Sequence, residues 1–116
     1  MAVELIEVSK AIWNTSQQLD TDMKTLLDRA KDSAVKEKTY RIALAKKIIT
    51  LRTEKVPATL IPDIARGSDG VSESKFQRDL SREMYKSTKE LLKSREAQLS
   101  SLQTLIKFQK DIEGGE

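Results

Sequence analysis

The amino-acid sequence predicts an all-α fold, a long antiparallel helical hairpin or coiled-coil-like bundle with a short corner helix. Composition is the first reason. Charged residues make up 34% of the 116 residues and aromatic residues only 4%, a balance that suits long solvent-washed helices better than aromatic-rich sheets. Spacing is the second, because apolar residues recur at three- and four-residue steps on both sides of residue 60, as one face of a helix requires. Punctuation is the third: both prolines and two of the four glycines fall inside EKVPATLIPDIARGSDGVSES, between the two periodic segments. A chain of this length is expected to form a single helical domain over residues 1–113.

The first helix is expected over about 3–53. Leu5, Val8, Ile12, Leu19, Met23, Leu26, Ala30, Ala34, Ala45 and Ile48 form its apolar face, with no Gly or Pro among them. Two weak points leave it open to a bend or break. In NTSQQLDTD at 14–22, short polar side chains compete for backbone hydrogen bonds, and KDSAVKEKT at 31–39 is a polar run. The corner spans 56–71 and holds a short helix at about 60–66. Thr59 is its expected N-cap, Pro62 sits in the tolerant first turn, and Leu60, Ile61 and Ile64 face inward. A second long helix is expected over about 72–112, capped by Ser72, with Phe76, Leu80, Met84, Leu91, Leu99, Leu102, Leu105 and Ile112 as its inward stripe. Residues 114–116 read as a flexible tail. Packing 40–52 on 76–91 places Met84 near Ala45 and Leu80 near Ile48.

The same sequence excludes much chemistry. It contains no Cys and no His, which removes thiol nucleophiles, imidazole acid–base catalysis and the usual zinc sites. Ser33 to Lys36 and Ser72 to Lys75 match a Ser-x-x-Lys pattern, but the partner motifs of serine acylases and any glycine-rich phosphate loop are missing. ATLIPDIARG resembles the recognition helix of a helix-turn-helix, yet no tight turn precedes it and Pro62 occupies a base-reading position. The chain is therefore read as a non-enzyme with no cofactor and no small-molecule substrate. No membrane-length apolar segment or signal-peptide pattern is present, so a cytoplasmic protein is expected, without a membrane partner.

Charge is unevenly spread. Residues 1–35 carry four basic and six acidic side chains, whereas residues 36–56 carry seven basic and two acidic. Lys36, Lys46 and Lys47 fall opposite the apolar stripe and, with Lys86, Lys89 and Lys93, form the candidate nucleic-acid-binding set. Arg41 and Arg52 fall in line with Ala45 and Ile48, which places them at the helix interface toward Asp79, Glu83 and Glu90. In the expected register the second helix ends before it reaches Trp13. Leu5, Val8, Ile12 and Trp13 are then left as a candidate interface with another subunit, and a homo-oligomer is expected.

The runs YRIALAKKIITLRTEKVPATLIPDIARG and SKFQRDLSREMYKSTKELLKSREAQLSSLQTLIKFQK resemble a group of small all-helical proteins of unassigned function from tailed phages and prophages of Gram-positive bacteria. The resemblance covers about residues 39–110. It implies an early phage gene near replication and recombination functions, and hence the host cytoplasm. On this footing the expected role is a phage-type accessory or adaptor that binds DNA or a DNA-processing protein. The alternatives are a small inhibitor docking on a host or defence protein, and a purely structural helical assembly protein.

Overall fold

The computed structural model describes the backbone from Ala2 to Gly114 and the side chains from Glu4 to Ile112. It is a helical hairpin. Helix α1 runs Ala2–Thr53, the short α2 runs Ile61–Gly67, and α3 runs Asp69–Gly114; there is no strand among the described residues. The chain divides into two compact units. Asp28–Lys86 forms a corner unit, and Met1–Leu27 with Ser87–Glu116 bounds a terminal unit. Of the expected tail, Gly114 belongs to α3 and residues 115–116 lie outside the described residues.

Neither expected break interrupts α1. Its hydroxyls turn back on the helix instead of competing with it: Ser9 donates to the Leu5 carbonyl (2.9 Å), Thr21 to that of Gln17 (3.2 Å) and Thr39 to that of Val35 (3.0 Å). The helix ends in a Schellman motif. Val56 N–H donates to the Leu51 carbonyl and Lys55 N–H to that of Arg52, with Lys55 in the left-handed region at φ 62°. Val56 then packs against Leu51, the hydrophobic contact that accompanies this stop.

In the corner unit α2 closes over the end of α1. Leu51, Ile61 and Ala65 are buried together, with Leu44, Ile48 and Val56 packed around them. Pro62 sits in the first turn as expected, but the cap is Leu60, which already has helical dihedrals and makes no side-chain cap bond, so Thr59 plays no capping part. Leu60 and Ile64 are exposed, and Ala65 takes the inward place expected of them. Ser68 alone joins α2 to α3: its hydroxyl donates to the Ala65 carbonyl (2.7 Å) and its own carbonyl accepts Ser72 N–H (2.8 Å). Ser72 is therefore inside the first turn of α3 rather than its cap.

This tight junction resets the register. Because α3 starts at Asp69, directly after α2, its early turns meet α1 farther from the corner end of α1 than expected. Met84 consequently lies against Arg29, whose Nη1 is 3.7 Å from the sulfur. That is roughly four helical turns nearer the N-terminus than Ala45, and Ala45 is exposed.

The phase of α3 also differs from expectation. Its inward positions in the corner unit are Val71, Ser74, Arg78, Ser81 and Tyr85, and in the terminal unit Thr88, Leu92, Arg95, Leu99, Leu102, Ile106 and Gln109. These alternate three- and four-residue steps throughout, the heptad rhythm of a coiled-coil seam. The expected stripe is mostly outside: Phe76, Leu80, Leu91, Leu105 and Ile112 are exposed. Buried apolar residues are few, namely Val8, Tyr40, Leu51, Ile61, Ala65 and Val71, and Thr15, Ser81 and Thr88 are buried beside them.

Candidate functional site

In the middle of the corner unit, charge is neutralised within the fold. Glu37 accepts hydrogen bonds from Arg41 Nε and Arg82 Nη2, both at 2.8 Å, and Arg78 Nε stands 3.7 Å from it. Arg78 also binds Asp79 Oδ1 (3.0 Å) and lies over the Tyr40 ring at 4.3 Å from its centroid, a guanidinium stack that suits arginine rather than lysine. Lys75 completes the set on Asp79 Oδ2 (3.0 Å). The hydrogen bond from Arg41, with the charges of Arg82 and Arg78, holds Glu37 below the ordinary glutamate range against the opposing effect of desolvation. Bonds from Lys75 and then Arg78 do the same for Asp79. Both carboxyls are fixed anions, unsuited to donating or shuttling a proton near neutral pH.

The sequence misplaces the arginines. Arg41 and Arg52 are exposed, because α1 faces inward through Tyr40, Leu44, Ile48 and Leu51, and a helical residue one position on turns about 100° away. The arginines at the seam are Arg78 and Arg95, the latter 3.3 Å from Asp22 within the terminal unit. Their positions follow from the strict heptad that begins at Val71, a signal present in the sequence but masked by the larger apolar residues on the neighbouring stripe.

Toward the corner the pattern reverses. Lys46 and Lys47 line an open groove of about 570 Å³ with Ala43, Thr50, Ser68, Asp69, Gly70 and Val71. Arg52, Lys55 and Arg66 are exposed on the neighbouring α1 end, turn and α2. Among the described residues none of these five cations makes an ion pair, in contrast to Arg41, Lys75, Arg78 and Arg82. The local acids Glu54, Asp63 and Asp69 are fewer than the cations.

The six lysines of the expected set divide between the two units. Lys46 and Lys47 come together in the groove. Lys36 is half-buried and 4.0 Å from Asp32, and Lys86 is 3.5 Å from Glu83. Lys89 and Lys93 belong to the terminal unit, where Lys93 is 3.6 Å from Glu90. Arg52, Lys55 and Arg66, exposed in the same unit, are not in the expected set. The apolar phasing assigned Arg52 inward, and nothing in the sequence marks Lys55 as the residue that turns the chain.

In the terminal unit Val8 is buried and Leu5 and Ile12 are half-buried. Carrying the antiparallel register from the Asp22–Arg95 pair places Ile12 level with Leu105 and Val8 with Gln109, so α3 does not end short of Trp13. Trp13 is nevertheless 66% exposed and Ile6 54%. Both line an open groove of about 480 Å³ with Leu5, Ser9, Lys10 and Asn14. Of the expected interface set, Trp13 alone is exposed.

No group of acidic side chains among the described residues is arranged to hold a metal ion, and no helix among them is long and apolar enough to cross a membrane. No protein-family model, curated protein or solved structure matches the chain.

Proposed function

We propose that the protein is a non-enzymatic binding protein whose corner takes the phosphate backbone of a nucleic acid. The resemblance to small phage proteins sets this in the role of an accessory factor near DNA replication or recombination. The supporting observation is the group Lys46, Lys47, Arg52, Lys55 and Arg66, which make no ion pair among the described residues on a unit where Arg41, Arg78 and Arg82 are neutralised. Unpaired cations release condensed counterions when they meet phosphates, which gives affinity without sequence preference. Among the described residues of the corner unit Phe76 is the one exposed aromatic, so stacking on single-stranded bases contributes little and duplex is the preferred ligand.

The test is binding of a labelled 20-base-pair duplex, and of one of its strands, between 50 and 200 mM salt. Three to five phosphate contacts give a log–log slope of about −3 to −4.5, or a loss of affinity of roughly 40- to 500-fold over that range. Reversing Lys46, Lys47 and Lys55 to Glu should abolish binding, whereas Lys36→Glu should leave it nearly intact. No binding at 50 mM salt, or equal losses for both variants, overturns the reading.

A second reading, a small inhibitor docking on a host protein, draws on the exposed Trp13 and Ile6 beside the N-terminal groove. It requires a binding partner that survives nuclease treatment and is lost in Trp13→Ala.

A further inference from the structure

Helix α3 carries two seams in the terminal unit, and only one is covered. The inward seam at 88, 92, 95, 99, 102, 106 and 109 faces α1 and includes the charged Arg95. A second runs Ser87, Leu91, Ser94, Gln98, Ser101, Leu105, Phe108 and Ile112, again at alternating four- and three-residue steps, and every residue of it is exposed. Eight charged residues lie between 87 and 112, and none falls on this outer seam. A solvated helix face has no reason to exclude charge so completely, whereas a helix-packing seam must.

We infer that the outer seam of α3 is the contact face for a second copy of the same chain, with two α3 helices packed antiparallel about a two-fold axis between Gln98 and Ser101. A two-fold interface must be self-complementary, so that each residue meets its counterpart reciprocally, and this seam is. Folding it about that axis places Leu91 opposite Phe108, Ser94 opposite Leu105, Ser87 opposite Ile112, and Gln98 opposite Ser101. The large side chains meet either each other or a serine that makes room, and the two polar residues meet at the centre, where an amide and a hydroxyl can bond. No like charges are brought together on the seam itself.

Each partner of a standard stable interface contributes about 800 Å². Four exposed large apolar side chains, Leu91, Leu105, Phe108 and Ile112, lie on the seam to occupy that interface.

Sedimentation velocity on the full chain from about 1 to 100 μM tests the inference directly, a span that brackets micromolar affinity. The expected result is a concentration-dependent shift from 13.1 kDa to twice that mass. Leu91→Glu with Phe108→Glu should hold the protein at the monomer mass with its helical circular dichroism unchanged, since both residues are exposed. Ser94→Cys with Leu105→Cys, in a chain free of other cysteines, should oxidise to a covalent dimer. Those two positions lie about 16 Å apart along one helix and cannot bridge within a chain, and Ser94→Cys alone should not cross-link. A monomer at every concentration overturns the assignment. So does a dimer that survives Leu91→Glu/Phe108→Glu but dissociates in Trp13→Glu, which moves the contact to the N-terminal groove.

Discussion

Leu51 and Ile49 sit two residues apart in the last turns of α1 and should respond very unequally to truncation. Leu51 is 4% exposed and packed with Ile61 and Ala65, whereas Ile49 is 62% exposed. Leu51→Ala removes three buried carbons, about 2.4 kcal/mol at ~0.8 kcal/mol each, and leaves a cavity that the small corner cluster fills only in part. A total of about 3 kcal/mol follows, within the range for buried Leu→Ala changes. A chain of this length has a stability on the order of 6–17 kcal/mol, and six buried apolar residues among those described place it near the lower end. The substitution therefore removes up to half of the total. In urea, monitored by circular dichroism at low protein concentration, the midpoint should fall by about 1.5–2 M for an m-value near 1.5–2 kcal/mol/M. Ile49→Ala should change the stability by no more than the ~0.5 kcal/mol usual at surface positions. Equal shifts for the two, or a larger one for Ile49→Ala, would show that the phase of α1 at the corner is wrong.

Two further outcomes concern polar groups. Glu37 is held below its ordinary value of 4.5 by Arg41, Arg82 and Arg78, so its contribution is complete above that pH and is lost as the pH falls through the lower folded value. Thermal melts from pH 7 to pH 2 should show a shallower acid decline in Glu37→Gln than in the parent, with the residual slope carried in part by Asp79; an unchanged decline would count against the arginine cluster. Gln109 Oε1 is buried without a hydrogen-bond partner among the described residues, and an unmet buried acceptor costs about 1–3 kcal/mol. Gln109→Leu should raise the urea midpoint by an amount equivalent to about 1 kcal/mol, and a drop would mean that the amide is satisfied.

The helices were legible in the sequence because their signals are redundant: spacing, the lack of internal Gly or Pro, and the gathering of both prolines at one corner all agree. Register and phase were not. Apolar spacing puts Phe76, Leu80 and Leu91 on the inward face of α3, but they are exposed. The seam instead uses Arg78, Ser81 and Thr88, whose polarity hides a seven-residue rhythm from any reading weighted by hydrophobicity. Register failed for a related reason. It depends on a single connecting residue, Ser68, and on α2 filling the place opposite the end of α1, neither of which can be counted from apolar spacing. Of the candidate site, Lys46 and Lys47 were readable from the local excess of positive charge. Whether a cation is already paired depends on neighbours distant in sequence, as Arg78 and Arg82 at Glu37 show.

Lys55 gives the corner a character of its own. The turn that stops α1 requires a left-handed residue, a place that glycine fills without penalty and that costs a side chain with a β-carbon about 1 kcal/mol. The chain puts a lysine there, between Arg52 and Arg66. Stability and charge are thus set against each other at one position: the residue that would make the turn most comfortable would also take a cation from the cluster. A lineage selected for robustness alone would drift toward glycine at this site, and one that depends on the cluster would keep the lysine and carry the strain.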